Sequence, residues 1–335
     1  MTKQEITLSA MHSARETIAP LVRYTPIIAS PALTNDPDVK VVLKLENLQV
    51  TGSFKVRGAA NKVLNLTDQE RTAGIITVSS GNHGRAISYV ANRLGIPAAI
   101  CISDAVPINK REAIESLGAE LKVGGTTYDE AAALAERLMV ERGMTMVHPY
   151  DESYVIEGQG TIGLELLNDF PEIDTVLVPL SGGGLLSGIA FALKTTNPSI
   201  RIIGISMERG PAMVESLQAG RIVEITEEPT LADALAGGLG SSNAYTFEMI
   251  QQYVDETILV SEGEIAEAIT FALDEHCIVV EGGGAVGIAA LLAGKVDQLG
   301  RNVAVVISGG NIDLSLLQNV AQGRAPLSEE SAGNS

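Results

Sequence analysis

The sequence predicts an α/β fold in two lobes, each with a mainly parallel sheet flanked by helices. Short apolar runs alternate with helical patterns along the chain, as in units where a helix connects two parallel strands. Hydrophobic residues make up 45% of the chain but aromatic residues only 4%, which is typical of helices packed on parallel strands. Because 335 residues is long for a single hydrophobic core, two lobes are expected.

The predicted elements follow one another regularly from residue 7 onward. Apolar residues at helical spacing predict helices, and short apolar runs bounded by Gly or Pro predict strands. Helices are expected at 7–19, 55–64, 86–94, 109–117, 128–142, 157–167, 211–218, 246–254, 262–276 and 286–292, with another directly after 181–185. Strands are expected at 41–45, 73–78, 98–102, 120–123, 145–148, 175–180, 200–206, 222–225 and 302–307.

The compact alternation of strands and helices between residues 75 and 148 predicts a small domain over 75–150. The large domain is then discontinuous and consists of 1–74 and 151–323. The tail at 324–335 is polar and is predicted to be disordered.

Charge and cysteine usage limit the possible functions. The formal charge of −18 repels nucleic acids and anionic membranes, so neither is an expected partner. Cys101 and Cys277 lie in apolar surroundings without metal-site spacing, and both are predicted to be buried free thiols in a reducing compartment. Since no signal peptide and no run long enough to span a bilayer is apparent, a cytoplasmic protein is predicted.

Lys55 lies in the first turn of a predicted helix, after Gly52 and after Ser53, which is an N-cap type of residue. Cations are disfavoured at this end of a helix by the macrodipole. One explanation is chemical, because a lysine destabilised as an ammonium has a lowered pKa and can attack an aldehyde. The other explanation is that Lys55 points to solvent, and this stretch alone favours it.

Four predicted strands end in loops rich in Gly, Ser and Asn, at 51–54, 79–84, 181–185 and 308–311. In open parallel sheets ligands bind outside the carboxyl ends of the strands, so we expect these loops to share one cleft. The 181–185 loop precedes a helix and predicts an anion site, although a tight turn without a ligand explains it equally well. It is neither a Walker A sequence nor a dinucleotide fingerprint.

The 79–84 loop offers two hydroxyls, an amide and an imidazole, which suit a carboxylate or a phenolic oxygen. A simple helix cap is the alternative. His83 has no acidic partner nearby in sequence, so it is not predicted to be a general base. His148 follows an apolar run and is more typical of a core histidine. An amine with a phosphate site and a carboxylate site, without a metal cluster, points to pyridoxal 5′-phosphate, whose aldehyde forms a Schiff base with lysine.

Five motifs, at 53–59, 79–84, 158–161, 181–185 and 308–311, resemble those of the fold-type II pyridoxal-phosphate enzymes, which have the tryptophan synthase β-like fold. Within this family the chain is most similar to the serine/threonine dehydratase and serine racemase branch, over about residues 10 to 320. The resemblance implies a homodimer that acts on a small amino acid.

The resemblance also implies residue roles. Lys55 would hold the cofactor and remove the α-proton of the substrate, and Ser80 matches the residue that acts on the opposite face in serine racemase. Asn82 would bind the 3′-oxygen of the cofactor and Ser308 would face its pyridine nitrogen. The full implied cofactor set is Phe54, Lys55, Asn82, Ser181, Gly182, Gly183, Gly184, Leu185, Glu281 and Ser308, and the implied substrate set is Ser79, Ser80, Asn82 and His83.

The implied activity is α,β-elimination of water from a small β-hydroxy amino acid, which gives a 2-oxo acid and ammonia. Racemisation or β-replacement on the same scaffold is one alternative, and a non-catalytic protein that binds pyridoxal phosphate is another. The substrate side chain is expected to lie against 237–242, Tyr150 and Tyr128.

Three departures from the family pattern bear on the substrate and on metal binding. Ser206 and Ala212 stand where relatives have the carboxylates of a divalent cation site, so no metal is predicted. Ala131 stands where serine racemase has an arginine for a second substrate carboxylate. The run at 281–285 (Glu-Gly-Gly-Gly-Ala) and the loop at 231–240 look like those of dehydratases in hydroxyectoine utilisation.

Overall fold

Two sheets organise the computed structural model, which describes residues 3–240 and 242–324. Ten strands are formed within these ranges: β1 Ile27–Ala29, β2 Lys40–Leu45, β3 Ile75–Val78, β4 Ala98–Ile102, β5 Glu120–Val123, β6 Thr145–Met146, β7 Thr175–Pro179, β8 Arg201–Met207, β9 Glu256–Val260 and β10 Asn302–Ile307. The larger sheet has the order β1-β2-β10-β7-β8-β9 and the smaller one β5-β4-β3-β6.

Helices flank both sheets. In the described residues they are α1 Leu8–Ile18, α2 Lys55–Leu64, α3 Asp68–Ala73, α4 Asn82–Leu94, α5 Ile108–Glu115, α6 Tyr128–Arg142, α7 Ser153–Asp169, α8 Gly184–Thr196, α9 Ala212–Ala219, α10 Thr246–Tyr253, α11 Glu262–His276, α12 Gly282–Leu292 and α13 Leu314–Ala321. All strand pairs except β1 with β2 are parallel. The predicted fold class is therefore confirmed.

The larger sheet is buried on both faces, which explains its apolar strands. In β10, Val303, Val305 and Ile307 pack in one core with α11 and α12, whereas Ala304 and Val306 pack on the opposite face in a core with α7 and α8. Successive residues of a strand point to opposite faces, so a strand between two helical layers must be apolar at every position.

The strands of the smaller sheet all lie between residues 75 and 146, and the strands of the larger sheet lie before and after them. We therefore propose the division predicted from the sequence, with a small domain over 75–150 inserted into a large one. Of the tail predicted at 324–335, residues 325–335 lie outside the described residues.

Several elements differ from the prediction. The strand expected at 222–225 does not form, because β9 takes the place beside β8 while Ile222 and Ile225 pack on the core as extended chain. The elements β1, α3, β9 and α13 were not predicted. Cys101 is buried as expected, but Cys277 is exposed, because it follows the last residue of α11 in a left-handed conformation.

In the part of the chain that the structure describes, no helix has the length and apolar character needed to cross a membrane.

Candidate active site

The loops after β2 and β10 meet at the start of α2. The strands β2 and β10 are parallel neighbours with Leu45 opposite Ile307, so both loops leave the same edge of the sheet. Ser53 forms a bridge with Gly309, and the Phe54 N–H donates to the Ser308 carbonyl at 3.0 Å. This pairing fixes the first turn of α2 beside Ser308.

Ser53 does not cap α2, contrary to the prediction. Phe54 occupies the N-cap position and no side chain caps the helix. The backbone of Ser53 is held by the bridge to Gly309, which explains the difference. Its hydroxyl is buried and has no hydrogen-bond partner among the described residues.

Lys55 is the first residue of α2 and is half-buried. Its Nζ donates to the Pro149 carbonyl at 2.8 Å and lies 5.3 Å from the centre of the Phe54 ring. Burial lowers the pKa of Lys55 to about 8, and the negative charge of Glu281 limits this shift. Lys55 is thus a partly neutral amine near pH 8, which agrees with the chemical explanation and not with a lysine that points to solvent.

Glu281 lies between the 79–85 segment and the 308–311 loop. Its Oε1 accepts a hydrogen bond from Asn82 Nδ2 at 2.6 Å, and the residue is only 4% exposed. Burial raises the pKa of Glu281 to about 7, as does the charge of Asp233. The structure therefore brings Lys55, Asn82 and Glu281 to one place from three distant parts of the chain.

The predicted substrate-binding residues lie at the start of α4, whose N-cap Gly81 provides no side chain. The Ser79 hydroxyl accepts from the Gly81 N–H at 3.4 Å. The Ser80 hydroxyl is half-buried and forms no hydrogen bond within 3–240 and 242–324. The unpaired N–H groups of the first helical turn favour an anion such as a carboxylate.

His83 is turned away from this helix start. Its ring N–H donates to the Val147 carbonyl at 3.0 Å. Burial, together with the charge of Lys55, lowers the pKa of His83 to about 3, so the ring is neutral. This bond engages the Nε2 atom of the imidazole, so only Nδ1 of the ring is left to accept a hydrogen bond.

The glycine loop leads into α8, which begins at Gly184 and has no side-chain cap. Ser181 is half-buried and Leu185 is buried. A Cβ on Gly184 would lie 2.7 Å from the Tyr150 carbonyl oxygen, so only glycine permits this approach of the two backbones. The first turn of α8 has no side-chain cap at the carboxyl end of β7, and the N–H groups of such a turn favour an anion.

Residues 148–151 connect Lys55 to the loop that was predicted to bind the substrate side chain. The Tyr150 hydroxyl donates to the Leu239 carbonyl at 3.0 Å. The Asp151 carboxylate accepts the N–H groups of Tyr245 and Thr246 at 2.8 and 2.9 Å and so caps α10. Tyr128 is 65% exposed. The predicted pocket at 237–242 includes Ser241, which lies outside the described residues.

The His148 ring contacts neighbouring protein groups, which agrees with the structural role predicted from its position after an apolar run. Its Nδ1 accepts the Asp151 N–H at 2.8 Å, and its ring packs edge-on against Tyr150 with 4.6 Å between centroids.

The described residues include no group of three His, Cys, Asp or Glu side chains that could hold a metal ion. Ser206 contacts the sulfur of Met207. Glu208 pairs with Lys295, whose Nζ lies 3.4 Å from its Oε1.

These residues fit pyridoxal phosphate. The phosphate needs an anion site, which the start of α8 offers, and the aldehyde needs a neutral amine, which Lys55 supplies. The Ser308 hydroxyl is buried and donates to the Gly283 carbonyl at 3.3 Å, so it can also accept a hydrogen bond. The buried, unpartnered Ser53 hydroxyl leaves a polar group beside Lys55 for a ligand to satisfy.

Sequence reasoning missed two groups at this site. The Pro149 carbonyl that accepts from Lys55 carries no sequence signal, since any residue has one. Asn311 was recognised only as part of a motif, although it donates to Asn82 Oδ1 at 2.6 Å. The available sequence signal for Asn311 was its position as the polar residue that ends the glycine-containing loop at 308–311.

Comparisons with known proteins show the family of this chain. The model of the family described as pyridoxal-phosphate dependent enzyme matches residues 18–309. A putative threonine dehydratase of Sinorhizobium fredii is 47% identical over 97% of this chain and 98% of its own. The L-threonine ammonia-lyase of Thermotoga maritima is 42% identical over 94% of this chain and 78% of its own.

Solved structures give the same result. Maize serine racemase is 34% identical with a TM-score of 0.89, over 96% of this chain and 98% of that one. The processed form of threonine deaminase isoform 2 from Solanum lycopersicum is 31% identical with a TM-score of 0.85, over 96% of this chain and 95% of that one. The chain therefore belongs to the fold-type II pyridoxal-phosphate-dependent enzymes.

Proposed function

We propose that this protein is a dehydratase that eliminates water from a small β-hydroxy amino acid resembling threonine or serine. The observation that carries the proposal is Lys55, a half-buried amine with its pKa lowered to about 8, held beside an uncapped helix start that suits a phosphate. The names of the relatives, threonine dehydratase and L-threonine ammonia-lyase, support the reaction class.

Each step of the reaction has a candidate group. Pyridoxal phosphate, when bound, supplies the electron sink for the α-carbon of the substrate. The N–H groups at the start of α8 hold its phosphate, and Phe54, Asn82, Glu281 and Ser308 surround the rest. The N–H groups at the start of α4, with Ser79 and Ser80, bind the substrate carboxylate. Lys55 Nζ takes the α-proton, for which a base with a pKa near the working pH is the most effective.

The bonds and products balance without another reactant. The Cα–H and Cβ–O bonds break, the hydroxyl leaves as water, and the enamine takes up one water to give a 2-oxo acid and ammonia. Because Ser308 supplies a hydroxyl and not a carboxylate, it does not keep the pyridine nitrogen protonated. A weaker electron sink suits elimination, in which the leaving group takes up the electrons.

The departures from the family pattern at 281–285 and 231–240 support a substrate pocket that differs from that of other threonine dehydratases. A Cβ on Gly282 would clash with the Leu231 carbonyl oxygen, so the glycine run permits the 231–235 segment to pack on the start of α12. Amino acids derived from hydroxyectoine therefore belong in the substrate panel beside threonine, serine and hydroxyaspartate.

Racemisation is the second candidate, because serine racemase has a closely similar structure and the Ser80 hydroxyl has no partner in the described residues. Chiral analysis of serine after incubation separates racemisation from release of a 2-oxo acid. Full retention of activity in a Ser80→Ala variant would exclude Ser80 from either reaction.

The test of the proposal has two parts. Borohydride treatment of the loaded protein, followed by peptide mapping, is expected to find the cofactor on Lys55. The panel assay is expected to yield a 2-oxo acid and ammonia in equal amounts, with a roughly 1,000-fold lower rate in Lys55→Ala. An unlabelled Lys55 in loaded protein contradicts the assignment of the amine, and no turnover with any amino acid favours a protein that only binds the cofactor.

A further inference from the structure

Asn311 ends the last motif of the sequence and has no role in the proposed reaction. Its Nδ2 donates to the Thr51 carbonyl at 2.9 Å and to Asn82 Oδ1 at 2.6 Å. Its Oδ1 accepts from Arg85 Nη1 at 2.9 Å. Both the nitrogen and the oxygen of this side-chain amide therefore have partners, which are Thr51 after β2 and two residues of the first turn of α4.

These partners fix which way the Asn311 amide points. A backbone carbonyl such as that of Thr51 can only accept, and a guanidinium such as that of Arg85 can only donate. Nδ2 must then face Thr51 and Oδ1 must face Arg85, since the reverse orientation would lose both hydrogen bonds.

The fixed Asn311 amide fixes the Asn82 amide in turn. Because Asn311 presents an N–H to Asn82, Asn82 must present its Oδ1 to Asn311. Its Nδ2 is then on the side of Glu281, whose Oε1 accepts one of the two hydrogens at 2.6 Å. The second hydrogen of Nδ2 forms no bond within the described residues.

We propose that Asn311 is a positioning residue, which holds the Asn82 amide so that a free N–H is available to an oxygen of the cofactor. Arg85 assists by holding Asn311. The inference rests on the proposed role of Asn82, and it extends the site to two residues that do not contact the cofactor.

Asn311→Asp is the sharpest test because it keeps the size and shape of the side chain, removes its N–H donors and adds one negative charge. A carboxylate can still accept from Arg85 but can donate neither to Asn82 nor to the Thr51 carbonyl. The Asn82 amide is then expected to turn over and to present its oxygen, in place of its N–H, toward Glu281 and the cofactor.

The readouts are the dissociation constant of pyridoxal phosphate and the visible absorbance maximum of the loaded protein, both measured without substrate. Loss of one hydrogen bond predicts about a tenfold weaker binding, with a shifted maximum. In an Asn82→Ala background the same substitution is expected to have almost no effect, because the two residues act in series. Asn197→Asp is the matched control. Asn197 is exposed, and an aspartate there still accepts the hydrogen bond from the Ser199 N–H.

The inference is overturned if Asn311→Asp weakens cofactor binding equally in the wild-type and the Asn82→Ala proteins. It is also overturned if Asn82→Ala alone changes neither the dissociation constant nor the absorbance maximum. If Asn311→Asp does not fold, Arg85→Met is measured in its place. It is expected to weaken cofactor binding less than Asn311→Asp, and to have no effect when combined with Asn82→Ala. Failure of the proposed dehydration is recognised separately, because neither readout involves turnover.

Discussion

At the scale of single residues, the site depends on the burial of an amine and a carboxyl group, which shifts the pKa of each toward pH 7. Burial lowers the pKa of Lys55 to about 8 and raises that of Glu281 to about 7. Both shifts have the same physical cause, since a low-dielectric surrounding disfavours the charged form of either group. Perturbed groups of this kind cluster at functional sites.

The first prediction concerns the ionisation of Lys55. In the protein without cofactor, labelling of Lys55 by a small acylating reagent is expected to rise with pH through a midpoint near 8, because only the neutral amine reacts. A free lysine amine has a midpoint of about 10.4. Mass spectrometry of the Lys55 peptide after brief labelling at pH 6 to 10 measures this.

A Glu281→Gln variant sharpens this prediction. The carboxylate favours the ammonium form of Lys55, so its removal is expected to move the labelling midpoint to lower pH. A midpoint that stays near that of a free lysine in both proteins would show that burial does not act on Lys55.

The sequence could predict which residues form this site better than it could predict where their side chains point. The motifs carried Lys55 and Asn82, which the structure brings together through Glu281. They could not indicate that the His83 ring donates to Val147, since that carbonyl is 64 residues away in the chain. A side chain in a polar motif can face the cleft or the protein, and tertiary contacts alone decide.

At the scale of elements, the helices that adjoin the 79–84 and 181–185 loops were predicted, but the contacts that support their first turns were not. The glycine loop and its helix were expected, but the approach of Tyr150 to Gly184 depends on the chain returning from β6. Short elements were also missed. The strand β1 has three residues and pairs antiparallel with β2, so it depends on its partner and not on its own pattern.

The second prediction concerns Gly184. A Gly184→Ala variant is expected to bind pyridoxal phosphate at least tenfold more weakly, because the new Cβ would lie 2.7 Å from the Tyr150 carbonyl and force the loop and residue 150 apart. Gly263→Ala in α11 is the matched control, since no heavy atom lies within 4 Å of its Cβ. Fluorescence titration measures both, and equal affinity of the two variants would contradict the prediction.

The helix that carries Lys55 is anchored by a buried group of charges. Arg57 pairs with Glu46 at 2.8 Å and with Glu165 at 2.6 Å, and Lys44 also pairs with Glu165. All four side chains are at most 3% exposed. Two positive and two negative charges leave no net charge in this interior, which is the condition for burying them.

The third prediction is that Arg57→Met lowers the free energy of unfolding by about 3–5 kcal/mol, because two buried carboxylates would then share one lysine. Lys40→Ala removes an exposed pair with Glu172 and is expected to cost less than about 1 kcal/mol. Urea denaturation followed by circular dichroism compares the two. A similar cost for both would mean that the buried charges are solvated.

At the scale of the whole molecule, the alternation of elements predicted both sheets but not their contacts. Parallel order within each sheet follows from crossover helices. Two contacts join helices beside the smaller sheet to distant segments of the chain: Arg85 of α4 contacts Asn311, and Lys110 of α5 contacts Asp233. Sequence patterns describe one element at a time, so pairings between residues of distant elements leave no periodic signal.

The two sheets differ in how much they bury. In β7 of the larger sheet all five residues are buried, whereas the edge strand β5 of the smaller sheet has no buried residue. A region with less buried apolar surface opens more readily than the rest of the protein. Cys101 is fully buried in β4 and can therefore report on this opening.

The fourth prediction is that Cys101 becomes reactive in urea before the larger sheet unfolds. In a Cys277→Ser variant, which removes the exposed thiol, Cys101 is inert in the native state because it is buried and burial raises its pKa to about 11. A thiol reagent added across a urea series is expected to label Cys101 at lower urea than the loss of circular dichroism. Pyridoxal phosphate is expected to slow the labelling, because a ligand held by both Asn82 and Gly184, as we propose, would bind the folded smaller sheet and not the opened one. Labelling that coincides with global unfolding, with or without cofactor, would mean that the two sheets open as one unit.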